Sequence, residues 1–142
     1  MKIQTILTTK GAHITTVRAR QTVQEAIALL VQHNIGALVV VDDTGKPVGI
    51  ISERDIIHAA DRGASVFAQP ASGTMTKEVI VGSPQDDLES VMQTMTDKRS
   101  RHVLIMDQGK LVGIVSIGDM VKAQLDETQG EIDTLETQIL EG

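Results

Sequence analysis

Hydrophobic positions along this chain change their period several times, and the same succession of periods occurs twice. Between Thr22 and His33 the apolar residues Val23, Ala26, Ile27 and Leu30 recur at helical spacing, which predicts an amphipathic helix. Thr22 precedes the run and Glu25 follows three residues later, the arrangement of a capping box. The runs ALVVV (Ala37–Val41) and PVGII (Pro47–Ile51) then read as two strands, joined by DDTGK, whose Asp and Gly residues suit a hairpin. A short extended segment, Ile14–Val17, comes before this series, and a second helix is expected from Ser52.

Sliding the chain against itself by 65 residues brings out the second copy. Leu38–Asp42 (LVVVD) falls on Val103–Asp107 (VLIMD), and a one-residue gap at Thr44 aligns GKPVGIISERDIIHA with GKLVGIVSIGDMVKA. Val79–Val81 is the extended segment of this copy. Asp87 stands at the helix cap, with Leu88, Val91, Met92 and Met95 as the apolar stripe. The predicted order is β-α-β-β-α, twice. The expected organisation is a first repeat over residues 1–65, a connection over 66–74, a second repeat over 75–125 and a helical tail over 126–142. The connection is too apolar around Val66–Phe67 for a free tether and is expected to pack on the repeats.

Composition narrows the function. The 142 residues are 41% hydrophobic and 23% charged, ordinary for a globular chain. With Phe67 as the sole aromatic residue, a planar ligand would be gripped by aliphatic side chains and backbone. A net charge of −6 without a long basic tract argues against nucleic acid. The absence of cysteine removes thiolate metal sites and thiol nucleophiles. No apolar run has the length of a signal core or a membrane span, so a cytoplasmic location without membrane attachment is expected. No nucleophile–base set, Walker loop, metal cluster or pair of catalytic carboxylates stands out, so no enzymatic activity is expected.

The repeated motifs GIISERD (Gly49–Asp55) and GIVSIGD (Gly113–Asp119), in matched β-α-β-β-α settings, resemble those of tandem CBS (cystathionine-β-synthase) domains, or Bateman modules. The resemblance runs from about Ile6 to Gln124 and includes the Met75-Thr76 pair that opens the second repeat. It implies an α/β (α+β) fold of two repeats about a pseudo-twofold axis, followed by a helical tail. It also implies a regulatory module, with clefts for adenosine-containing ligands such as AMP, ADP, ATP, NAD or S-adenosylmethionine.

Two readings of the motif aspartates stay open. Ser52-x-x-Asp55 and Ser116-x-x-Asp119 are good helix caps, with an acid near a helix N-terminus. A carboxylate held rigidly in a first helical turn also offers two acceptors to the cis-diol of a ribose. Gly49 and Gly113 would admit close approach by a ligand.

Carried over residue by residue, the resemblance groups Asp119 and Ser116 with Thr16, Val17 and the loop containing Asn34, Gly36 and Ala37. It groups Asp55, Ser52 and Arg54 with Val81 and with Arg99, Arg101 and His102. The cluster Lys98–His102 supplies cations for phosphate, against the plainer reading of a solvated turn. The two clefts are expected to be unequal. Gly118 replaces Arg54, Gly82 replaces Val17, and both central strands lack the family's frequent proline; the Asp55 cleft is expected to be the more basic one and to prefer additional phosphates. His13, His33 and His58 show no partner pattern.

The tail carries Leu125, Ile132, Leu135 and Ile139 at heptad-like spacing. The expectation is a homodimer in which the tail takes part, regulating an unidentified protein partner through signal transduction. A ligand-free interaction module and a divalent-metal sensor are the alternatives.

Overall fold

The computed structural model describes residues 1–11 and 13–141. Its elements are α1 (Ile3–Lys10), β1 (Thr16–Arg18), α2 (Val23–His33), β2 (Ala37–Val41), β3 (Pro47–Ser52), α3 (Glu53–Ala60), β4 (Ile80–Gly82), α4 (Leu88–Lys98), β5 (His102–Asp107), β6 (Lys110–Ser116) and α5 (Ile117–Glu141). They fall into two compact units, one of His13–Val79 and one of Met1–Ala12 with Ile80–Gly142. Each unit holds a three-stranded sheet, β1-β2-β3 or β4-β5-β6, whose first pair is parallel and second antiparallel. The expected β-α-β-β-α order is present in both.

The internal repeat extends to hydrogen-bond register. Thr16 pairs with Val39 as Val81 pairs with Leu104, and Val39 faces Ile50 as Leu104 faces Ile114. A register shift follows Val40 in one hairpin and Ile105 in the other. Both first helices are capped at the expected residue, Thr22 accepting from the Glu25 N–H and Asp87 from the Ser90 N–H, but the reciprocal half of the capping box expected at Thr22 does not form: Glu25 Oε2 accepts from the Gln21 side-chain amide instead. Both end in a left-handed residue, Asn34 (φ 52°) and Arg99 (φ 54°). The hairpins differ. Asp42 holds a longer turn by accepting from Thr44 and Lys46, whereas Gln108 and Gly109 both take positive φ, as a two-residue primed turn requires.

Each unit has its own apolar core. Val17, Val23, Ala26, Leu38, Val40 and Ile51 are among the buried residues of the first, and Ile3, Leu88, Met95, Val103, Ile105 and Met120 among those of the second. No buried side-chain polar atom among the described residues lacks a partner, so these cores carry no unpaired polar cost.

Four features depart from the sequence reading. The first strands begin later than expected, at Thr16 and Ile80, because parallel pairing starts opposite Val39 and Val103. Residues 66–79 fold as part of the first unit: Val66 and Ala71 are buried, the Ala71 N–H donates to Gln21 O, and Thr76 bridges Ile50. Residues 1–12, grouped above with the first repeat, belong to the second unit, where α1 buries Ile3 and Ile6. The tail is no separate element. It continues α5 without a break through Gly130.

Candidate functional site

The two Ser-x-x-Asp motifs are built alike and then partnered differently. In the first, Ser52 ends β3 and caps α3. Its Oγ accepts from the Asp55 N–H (3.2 Å), while Asp55 Oδ2 accepts from the Ser52 N–H (2.8 Å) and hydroxyl (2.9 Å). The remaining oxygen, Oδ1, accepts from the Thr76 hydroxyl at 2.9 Å. Three donors therefore occupy a carboxylate that has about four acceptor positions.

In the second motif Ser116 Oγ accepts from the Asp119 N–H (3.0 Å) and Asp119 Oδ2 from the Ser116 N–H (2.9 Å). Here the further partner is a cation. Lys10 Nζ lies 2.7 Å from Asp119 Oδ2 and also donates to Ile114 O at 2.7 Å. Burial disfavours the Asp119 carboxylate, but the hydrogen bonds from Lys10 and Ser116, with the Lys10 charge, outweigh it and hold the carboxyl below its usual range. No described residue donates to Asp119 Oδ1, so that oxygen keeps its acceptor capacity.

The motif glycines have a different purpose from the one expected. A Cβ on Gly49 would lie 2.7 Å from Thr76 O and 2.8 Å from Met75 Sδ; a Cβ on Gly113 would lie 2.5 Å from Leu7 Cδ2. The close approach is made by the chain itself rather than left for a ligand. Ile50 and Thr76 exchange both backbone hydrogen bonds, at 3.0 and 2.8 Å, which brings that segment onto β3. In the repeat alignment Lys10-Gly11 stands opposite Met75-Thr76. Each motif is thus covered, within its unit, by the segment that leads into the other repeat.

The remaining candidates occupy matched places. Gly36 O accepts from the Glu53 N–H and Ala37 pairs with Ser52; Arg101 O accepts from the Ile117 N–H and His102 pairs with Ser116. The structure therefore brings Gly36 and Ala37 to the start of α3, and Arg101 and His102 to the start of α5, each within its own repeat, while Asn34 and Arg99 are the helix C-caps two residues earlier. Thr16 is exposed on β1, but the Val17 side chain is 1% exposed and belongs to the core, which leaves it no side-chain role at a site. Val81 is exposed and lines an open pocket of about 430 Å³ with Gly82, Gln85, Asp86, Ser90 and Thr94. Arg54, Arg99 and Arg101 are exposed, and their guanidinium groups make no bond to another described residue. His13 and His33, which show no partner pattern in the sequence, lie with ring centroids 5.5 Å apart and planes tilted by 38°.

Sequence reasoning missed Lys10 and the contact of Thr76 with Asp55. The first was open to discovery: Ile3, Ile6, Leu7 and Lys10 are spaced as one helical face, and Gly11 follows as its stop. The second had no local signal, because Thr76 and Asp55 are 21 residues apart.

A duplicated strand–turn–helix unit with a capped acidic motif at each β-to-α junction defines a tandem regulatory fold. The CBS domain family matches residues 5–62 and 71–126, and the chain belongs to it. It is 37% identical over 117 residues to the CBS domain-containing protein YhcV of Bacillus subtilis, covering 82% of this chain and 83% of that one. The crystal structure of the CBS-domain protein ATU1752 from Agrobacterium tumefaciens aligns with a TM-score of 0.83 at 38% identity, over 87% of this chain and 99% of that one. The CBS domain pair of protein MJ0100, solved with 5′-methylthioadenosine and S-adenosylmethionine, aligns with a TM-score of 0.78 at 26% identity, over 89% and 98%. Among the described residues no helix is long and apolar enough to cross a membrane, and no group of three or more His, Cys, Asp or Glu could hold a metal ion.

Proposed function

We propose that this protein is a regulatory module that binds an adenosine-containing ligand, with the Asp119 carboxylate as the principal acceptor for the ribose diol. The observation that carries the reading is the geometry of Asp119. One oxygen is fixed by Ser116 and Lys10, while the other has no donor among the described residues. A rigid carboxylate with one uncommitted oxygen in the ionised state suits two adjacent hydroxyl donors. The guanidinium groups of Arg99 and Arg101, with His102, lie in the same unit as Asp119 and are the groups offered to phosphate. AMP, ADP, ATP and NAD are the ligand candidates. The adenosine compounds bound by MJ0100, a relative in fold, support the same chemical class.

Asp55 favours a second reading for the first motif. Its carboxylate already holds Ser52 and Thr76, which is what a structural cap needs. The first motif is therefore chiefly architectural. The ligand acts by binding one conformational state better than another, and the module passes that preference through its dimer to a regulated partner.

Thermal unfolding with millimolar AMP, ADP, ATP or NAD tests this. A ligand that binds only the folded chain must raise its Tm. At least one of the four is expected to do so for the parent and to lose its effect in Asp119→Asn. If none moves the parent's Tm, the ligand-free interaction module is the better account.

A further inference from the structure

Helix α5 carries a row of apolar side chains that its own chain leaves uncovered. Leu125, Leu135 and Ile139 are 65%, 58% and 77% exposed, Val121 and Ile132 are 42% and 43%, and Thr128 completes the row. The intervals along Val121, Leu125, Thr128, Ile132, Leu135 and Ile139 alternate four and three, the seam of a two-stranded coiled coil with Leu125, Ile132 and Ile139 at a and Val121, Thr128 and Leu135 at d. At 1.5 Å per residue the row is about 27 Å long. Met120, which is fully buried, points α5 into its own unit, and Glu89 of α4 lies beside the start of the row, lining an open pocket with Val121, Leu125 and Thr128.

The flanking charges choose the occupant and its direction. Position e holds Lys122, Gln129 and Glu136, and position g holds Gln124, Glu131 and Gln138. Beside a parallel copy, Glu131 would oppose Glu136 on both sides of the seam and Lys122 would meet no acid. Beside an antiparallel copy, Lys122 meets Glu136 twice and Gln124 meets Gln138 twice. The remaining like-charge contact is Glu131 against its symmetry mate. The apolar layers close as well: Val121 faces Ile139, Leu125 faces Leu135, and Thr128 faces Ile132. Within their own chain neither Lys122 nor Glu136 forms an ion pair among the described residues.

We infer that α5 of one copy docks antiparallel on α5 of a second copy, with reciprocal Lys122–Glu136 ion pairs setting the polarity. The contact is isologous, so it closes as a twofold dimer and does not propagate. It is independent of the nucleotide reading and is measured without ligand.

The chain has no cysteine, so introduced thiols report the packing directly. Differently tagged T128C and I132C full-length chains are mixed and oxidised, and sedimentation measures self-association of K122E, E136K and the double exchange. The expected result is a mixed T128C–I132C disulfide in excess of either self-pair. Each single charge change should weaken association several-fold, and the double exchange should recover it. A predominant T128C self-pair, tighter association of E136K, or no disulfide above that of the unfolded chains would overturn the proposal.

Discussion

Two copies of one motif, GIISERD and GIVSIGD, fold into the same strand end and helix cap yet hold their carboxylates in different company. Asp55 is held on both oxygens by neutral donors, Ser52 and the Thr76 hydroxyl. Asp119 is held by a lysine on one oxygen and open on the other. The covering segments differ in kind too: at Gly49 it is backbone joined to β3, and at Gly113 it is the flexible end of Leu7. Duplication thus preserved the backbone and left the partners of each carboxylate free to diverge. A shared motif does not by itself mean a shared role.

The largest expected difference between the copies lies in their glycines. Gly49→Ala drives a methyl group into Thr76 O and Met75, so the bridge to β3 must break, at a cost of about 3 kcal/mol in denaturant unfolding. Gly113→Ala meets only Leu7, which can rotate away, and should cost about 1 kcal/mol. Adding Leu7→Ala to Gly113→Ala should produce less loss than the two single changes combined, because one clash is shared. Equal losses for the two glycines would remove the distinction between a backbone cover and a side-chain cover.

Next in size is the ion pair. Lys10→Met should lower stability at neutral pH by about 0.5–1 kcal/mol, since both partners are partly exposed. The folded state holds the Asp119 carboxyl below its ordinary value, so its contribution is complete above the unfolded value and is lost as pH falls through the folded one. The gap between parent and Lys10→Met should therefore narrow in acid, below about pH 4. Thr76→Val, which removes a neutral and exposed donor from Asp55, should cost less, about 0.5 kcal/mol.

The smallest expected effect is a gain. Arg99 sits at φ 54°, where its counterpart is Asn34, a residue that tolerates the left-handed region more easily. Arg99→Gly should stabilise the chain by about 0.5 kcal/mol in thermal unfolding. Phosphate recognition by Arg99 predicts that the same change weakens ATP more than adenosine.

Much of the fold was legible because its signals are local. Thr22, Asp87, Ser52 and Ser116 stand at caps that their own sequences announce, and the alternation of periods marks both hairpins. What escaped was long-range. Lys10 reaches Asp119 across 109 residues, and Thr76 pairs with β3 although no turn links them. α1 is weakly announced for another reason: its helical face spans only eight residues, with no capping side chain at Lys2 and no acid in its first turn. The site residues were readable as residue types, but their occupancy by neighbours was not. The sequence shows that Asp55 and Asp119 are equivalent by position; only packing shows that one is held on both oxygens and the other on one.

Calorimetric titration of AMP into Asp119→Asn and Asp55→Asn, beside the parent chain, tests the asymmetry most directly. The account predicts that Asp119→Asn loses most of the affinity while remaining folded, and that Asp55→Asn retains most of it and loses stability instead. Affinity that survives in Asp119→Asn and disappears in Asp55→Asn would contradict it.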